Sequence, residues 1–137
     1  MQITRQADYA VRAVHYLAVL GSDQRAATSL IAQEQRIPPS FLAKIVSQLS
    51  VAGLLQTSRG ARGGVSLARS PELISLLEVV EAIDGPILLN ECVADRGDSC
   101  IFGEDCPMRP VWCEAQVELV ERLRSTTFDH FLQKQPA

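Results

Sequence analysis

The sequence predicts a mainly α-helical protein with a small β-hairpin wing: a winged helix-turn-helix followed by a long C-terminal dimerisation helix. Three observations predict this fold class. Apolar residues recur at helical spacing in several stretches, a proline-bearing turn separates two short helices, and a glycine-rich segment with two arginines lies between two strand-like runs. The 137 residues, 47% of them apolar, are enough for one core and an appendage.

The N-terminal part is predicted to form three helices. In the first, over residues 3–20, apolar residues recur at i, i+3, i+4 and i+7, and Gly21 ends the helix. A short second helix follows, which Thr28 or Ser29 can cap. The proline-bearing turn then leads into a third helix over about residues 40–52, because proline disfavours the helical region for the residue before it.

A hairpin and two further helices complete the predicted fold. The runs LLQTS and VSLA are typical of two short strands around a glycine-rich tip. Ser75 and Glu78 form a capping box that starts a fourth helix. A last helix is expected from Val111 to about Gln133, and its many large apolar residues indicate a dimerisation helix, with packing onto its own domain as the alternative.

The chain divides into two parts of opposite charge. Residues 1–70, the predicted DNA-binding domain, contain eight Lys or Arg against three Asp or Glu, a net charge of +5. Residues 71–137, expected to hold the capped helix, a cysteine loop (90–110) and the dimerisation helix (111–133), contain five against thirteen, a net charge of −8. This split indicates that the first part meets a polyanion, although uneven solvation of two surfaces is the alternative.

Double-stranded DNA is the expected polyanion. Glycines at the hairpin tip let a backbone approach phosphates, while Arg59 and Arg62 offer charge to phosphates or to a narrow minor groove. Lys44 and Gln48 lie on the polar face of the third helix. No Ser/His/Asp, P-loop or paired-acid pattern is present, so the chain is not expected to be an enzyme or to take a small-molecule substrate.

All four cysteines lie between residues 90 and 113, and the first three, Cys92, Cys100 and Cys106, have the spacing C-x7-C-x5-C. Thiolates on a loop suit a soft metal centre, either zinc or an iron-sulfur cluster. The N-terminus has charged residues where a signal peptide would be apolar, and no run is long enough to span a membrane. A cytoplasmic protein is therefore expected, in which metal or redox use of thiols is favoured over structural disulfides.

Several stretches carry a family resemblance when taken together: MQITRQADYAVRAVHYLA, RIPPSFLAKIVSQLSVAGLL, SRGARGGVSLA, ISLLEVVEAIDGP and the three spaced cysteines. They resemble the Rrf-type iron-sulfur winged-helix transcription regulators, the group that contains IscR, NsrR and RirA. The resemblance implies a homodimeric winged-helix regulator, and we expect it to repress transcription by binding a palindromic operator. It also implies a four-iron or two-iron cluster, with four irons preferred, whose response to nitric oxide, iron or redox state changes DNA affinity.

The resemblance also implies roles for particular residues. Cys92, Cys100 and Cys106 would be cluster ligands. A histidine that follows the third cysteine in the IscR branch is absent here, whereas Asp8 matches the aspartate that the partner subunit supplies in the NsrR-like branch. The first cysteine gap is similar to the RirA-like spacing, so both branches stay open. Cys113 is the rival fourth ligand.

For DNA, the resemblance implies that Ser40 and its neighbour Phe41 enter the major groove and that Arg59 with Gly63 and Gly64 reaches the minor groove. Two alternatives stay open beside the cluster-switched regulator. One is a thiol- or zinc-switched winged-helix regulator without iron. The other is a cluster-carrying electron-transfer protein, which would leave the basic hairpin unexplained.

Overall fold

The structure, a computed structural model, describes residues 2–61, 63–94 and 105–132. The three N-terminal helices are confirmed: α1 (Arg5–Leu20), α2 (Thr28–Gln35) and α3 (Pro39–Val51). α1 ends at Gly21, whose φ of 120° suits a residue without a side chain. The expected cap of α2 is wrong, because the helix already begins at Thr28 and its N-cap, Ala27, has no side-chain oxygen.

The predicted wing is confirmed as an antiparallel hairpin of β1 (Leu55–Ser58) and β2 (Gly64–Leu67). Its register pairs the first residue of β1 with the last of β2. Ala26, just before α2, forms an isolated antiparallel bridge with Val65, through N–H to O bonds of 2.9 and 2.8 Å. The hairpin is therefore attached to the helix-turn-helix on the side opposite β1.

The capping box before the fourth helix is also confirmed. After a short 3-10 turn (Pro71–Leu73), α4 (Leu76–Asp84) begins with the Glu78 N–H donating to Ser75 Oγ at 3.1 Å. It stops at Gly85, where φ is 79°. The mainly α-helical winged fold that the sequence predicts is thus present.

The C-terminal part differs from the expected loop and single long helix. A short helix, α5 (Glu91–Ala94), lies within the expected cysteine loop, and α6 spans Arg109–Ser125. The prediction that the last helix continues to about Gln133 is wrong, because residues 126–128 leave the helix before α7 (Asp129–Leu132) begins.

Backbone contacts with Ser75 and Leu76, at the start of α4, accompany the end of α6. The Leu76 N–H donates to the Thr126 carbonyl oxygen at 2.8 Å, and Thr127 pairs with Ser75 in an antiparallel bridge. Phe128 then turns inward and is fully buried. Burial of this ring and the new backbone bonds together replace the helical bonds that the chain gives up.

Two hydrophobic clusters meet at α4. The larger cluster fills the winged head, to which α1 to α4, both strands and Phe128 contribute. The smaller cluster comprises Ala7, Leu77, Val80 and Ile87, against which Leu119, Val120 and Leu123 of α6 pack. Val79 and Val80, neighbours on α4, belong to different clusters. α4 is therefore a wall shared by the head and the α6 region.

Polar links hold both ends of α4 against the head. Arg69, just after β2, donates from Nη1 to Glu78 Oε2 at 2.5 Å. At the other end Thr4 Oγ1, which also caps α1 by accepting from the Ala7 N–H, donates to Asp84 Oδ1 at 2.6 Å. Each link is partly exposed and contributes little alone, but together they fix α4 relative to β2 and α1.

None of the described helices is both long enough and apolar enough to cross a membrane.

Candidate nucleic-acid interface and cysteine site

The exposed face of α3 contains the residues predicted to meet DNA. The helix presents this face because its apolar residues, Leu42, Ile45, Val46 and Leu49, are buried in the head. Ser40, Phe41 and Lys44 are exposed, and Gln48 is half-buried. The Phe41 ring packs on Tyr9 of α1, with 6.3 Å between centroids. Phe41 therefore also fixes the position of α3 against α1.

Several cations of the winged head are available to an external anion. Arg25, Arg36, Lys44 and Arg59 are exposed, and none forms an ion pair within the residues that the structure describes. Arg62 lies outside those residues. Other arginines are paired: Arg12 with Asp8 and Arg69 with Glu78 in the head, and Arg124 with Glu121 on α6. Lys44 on α3 and Arg59 at the hairpin are thus exposed cations, without an ion pair among the described residues, on the two elements predicted to meet DNA.

The hairpin glycines are required by packing within the protein. A Cβ at Gly63 would lie 2.3 Å from the Ser58 carbonyl oxygen. At Gly64, where φ is +151°, a Cβ would lie 2.7 Å from the Ala26 carbonyl oxygen. The glycines therefore permit the tight tip and the bridge between Ala26 and Val65. This role needs no DNA and accounts for part of the glycine pattern.

A hydroxyl-rich groove of about 310 Å³ separates the hairpin from the start of α2. Thr28, Thr57 and Ser58 line it, and sequence reasoning missed all three as candidate DNA contacts. Short hydroxyl side chains commonly donate to phosphate oxygens. Ser47, exposed on α3, was missed as well. The sequence signal that could have indicated these contacts is the pair Thr57 and Ser58, directly before the glycine-rich tip.

The structure describes three of the four cysteines, and they lie at both ends of the expected loop. Cys92 is buried on α5, Cys106 is half-buried before α6, and Cys113 is half-buried on α6; none forms a disulfide. Cys100 lies outside the described residues. Within the described part of one chain, no three His, Cys, Asp or Glu side chains are grouped to hold a metal ion.

Asp8 lies on α1 and is paired within that helix. Its Oδ2 accepts from Arg12 Nε at 3.0 Å, and both side chains remain about half exposed. The pair lies on a groove of about 260 Å³, lined by Asp8, Val11, Arg12, His15, Gln35, Phe128 and Phe131. An exposed pair one helical turn apart is weak, so Asp8 can exchange Arg12 for another partner at low cost.

His15 lies in the same groove, with its ring against the edge of Phe131 at 6.1 Å between centroids. Partial burial, and secondarily the nearby Arg12 charge, lower the pKa of His15 below its ordinary 6.5. A lowered pKa means that the unfolded chain takes up a proton first as the pH falls. The neutral imidazole is therefore the form that the fold favours.

Replacing His15 by glutamine is expected to make stability less dependent on pH. In the native protein, the free energy of unfolding should fall as the pH decreases from 7.5 through 6.5 and toward the folded-state pKa, because protonation favours the unfolded chain. His15→Gln removes this contribution. Urea denaturation at several pH values between about 7.5 and 5.5 measures the slope. Equal slopes for both proteins would contradict the expected role of His15.

Comparisons with known proteins agree with this architecture. The chain matches the Rrf2 family, described as iron-dependent transcriptional regulators, over residues 3–134. It is 32% identical to the HTH-type transcriptional regulator NsrR of Shouchella clausii. The 127 aligned residues cover 93% of this chain and 85% of that protein.

Solved structures share the whole fold. CymR, the global cysteine regulator of B. subtilis, has a TM-score of 0.83 at 25% identity over 99% of both chains. The oxidised form of Staphylococcus aureus CymR has a TM-score of 0.79 over 100% of both chains, and at 22% identity it shows the fold alone. NsrR and B. subtilis CymR are named as regulators, which confirms the expectation that the chain is not an enzyme. Because the family match covers nearly its whole length, the chain belongs to the Rrf2 family of transcriptional regulators.

Proposed function

We propose that this regulator represses transcription by binding a palindromic DNA operator through α3 and the hairpin. The unpaired cations of the winged head carry this proposal, because a phosphate backbone is bound by cations that the protein has not already neutralised. α3 would lie in the major groove and the hairpin tip near the minor groove. The residues proposed to contact DNA are Ser40, Phe41, Lys44, Gln48, Arg59, Arg62, Gly63 and Gly64.

A second copy of the chain is proposed to cover α6. No side chain of this helix is fully buried, and three of its large apolar side chains, Val111, Trp112 and Val117, are 61%, 43% and 61% exposed. One face of α6 already packs on α4, so these residues are left for another partner. Exposed apolar side chains grouped on one helix favour an interface, and a two-fold dimer would present two heads to two half-sites.

An iron-sulfur cluster, with four irons preferred over two, is proposed as the switch. Its ligands would be Cys92, Cys100, Cys106 and the partner subunit's Asp8. The donor chemistry fits, because the described cysteines form no disulfide and the weak Asp8–Arg12 pair leaves that carboxylate available. When bound, the cluster would supply iron that nitric oxide, iron limitation or oxidation can alter.

Purification without oxygen tests this ligand set. The native protein should be brown and contain iron and acid-labile sulfide, and Cys106→Ser should be colourless. Asp8→Ala should shorten the lifetime of the visible absorption by about tenfold or more, while stability of the metal-free protein changes by less than about 0.5 kcal/mol because the lost ion pair is exposed. Cys113→Ser is the matched control and should keep the native lifetime.

One result would contradict the cluster, and a second would contradict only its fourth ligand. One is a colourless native protein that contains zinc after anaerobic reconstitution with iron and sulfide. The other is a loss of absorption in Cys113→Ser with no effect in Asp8→Ala, which would replace the fourth ligand.

A thiol switch without iron is the second candidate. Cys106 and Cys113 are half-buried and unpaired near the start of α6, and the fold is shared with a CymR solved in an oxidised form. Peroxide oxidises a thiolate by two electrons to sulfenic acid, which a second thiol converts to a disulfide with release of water. In this case, peroxide should change the DNA affinity of metal-free protein and a reductant should restore it. Unchanged affinity would exclude this switch.

A further inference from the structure

The side chain of Gln116 connects α6 to the segment that leads into α5. Its Nε2 donates to the Ile87 carbonyl oxygen at 2.5 Å, and its Oε1 accepts from the Leu89 N–H at 2.9 Å. The amide therefore pairs with a backbone carbonyl and a backbone N–H two residues apart, as a neighbouring β-strand would. Gln116 is half-buried, so these bonds are partly shielded from water.

The connected segment stands directly before the buried thiol. The Ile87 side chain is buried in the small cluster under α6, and Cys92, on the short helix that follows, is only 6% exposed. Cys113 lies on α6, one helical turn before Gln116. The pairing thus joins the main chain that carries Cys92 to the helix that carries Cys113.

We propose that Gln116 is a positioning residue for the cysteine site. It keeps residues 87–89 docked on α6, and this docking keeps Cys92 buried and at a fixed place relative to the thiols near α6. A helix as short as α5 is not stable alone, so its place depends on its own contact with α6 and on the anchored segment before it. The consequence for DNA affinity rests on the proposed function, whereas the docking itself does not.

The reactivity of Cys92 tests the docking in the full-length, reduced and metal-free protein. Gln116→Met keeps the length of the side chain but removes both hydrogen bonds. Iodoacetamide should then label Cys92 about tenfold faster, because loss of the two bonds favours local opening of the segment. Peptide mass spectrometry measures the labelling rate of each cysteine. The rate at Cys113 should remain within about twofold of the native rate, since α6 still packs on α4.

Two further variants separate positioning from general stability. Gln116→Glu can still accept from the Leu89 N–H, but its second ionised oxygen would face and repel the Ile87 carbonyl oxygen, so labelling at least as fast as in Gln116→Met is expected. Arg69→Met removes a polar link at the opposite end of α4 and should leave the Cys92 rate unchanged.

Equal Cys92 rates in the native protein and Gln116→Met would overturn the proposal. So would an equal rise at Cys92 in Arg69→Met, which would indicate a general loss of stability. A faster Cys92 rate without any change in cluster lifetime or in the peroxide response would uphold the docking and count against a role for Cys92 in the proposed switch.

Discussion

Replacing Phe128 by alanine is expected to lower the free energy of unfolding by about 3–5 kcal/mol. The ring is fully buried in the head cluster and packs edge to face on Phe131 at 5.8 Å between centroids. Truncation loses the transfer free energy of the ring and leaves a cavity among helices that cannot fully close it. Urea denaturation at constant pH measures the loss.

Phe131→Ala is the matched control for this effect. Its ring is only half-buried, at the edge of the same cluster, so the expected loss is roughly half as large or less. A decrease of less than about 1 kcal/mol in the free energy of unfolding of Phe128→Ala would contradict the burial of this ring in the head cluster.

Replacing Lys44 by alanine is expected to weaken binding to the specific operator by about 1–3 kcal/mol, or roughly five- to 150-fold, and to relax base preference at one position of each half-site. Lys44 is the only charged residue on α3 and is exposed. Selection from a random DNA library, followed by titration of the selected operator, measures both effects at a fixed salt concentration.

Arg59→Ala should act differently, because a hairpin cation meets phosphates or a narrow groove. The affinity of this variant should fall for all DNA sequences, and the magnitude of the slope of log affinity against log salt concentration should decrease by about one. Arg124→Ala, which removes a paired arginine from α6, is the control and should bind DNA as the native protein does. Unchanged binding in both Lys44→Ala and Arg59→Ala would place the DNA interface elsewhere.

Much of the head could be predicted because its signals are local. The apolar spacing of α1, the capping box at Ser75 and the glycine-rich hairpin tip each lie within one or two turns of the element that they define. The end of α6 could not be predicted, because it depends on bonds from Leu76 and on a distant cavity that accepts Phe128. The large apolar residues after Ser125 therefore fitted the sequence pattern of a continuing helix.

The candidate site shows the same limit. Exposure of Ser40, Phe41 and Lys44 followed from the apolar face of α3. The importance of Gln116 had no sequence signal, because its partners are backbone atoms whose position only the fold supplies. The ligand roles of the cysteines and Asp8 stay predictions, since they require Cys100 and a second chain.

If the proposed switch displaces α6, the wall formed by α4 would carry that displacement to the winged head without any contact between the head and the reactive group. Val79 and Val80 face different clusters, and close-packed clusters transmit a shift of one wall into the other. An iron-sulfur cluster, a disulfide or a bound metal would therefore affect the same winged head, provided that each displaces α6. Under this arrangement, the chemistry of the switch would be separable from DNA recognition, because α3 and the hairpin need to sense only a movement of α4.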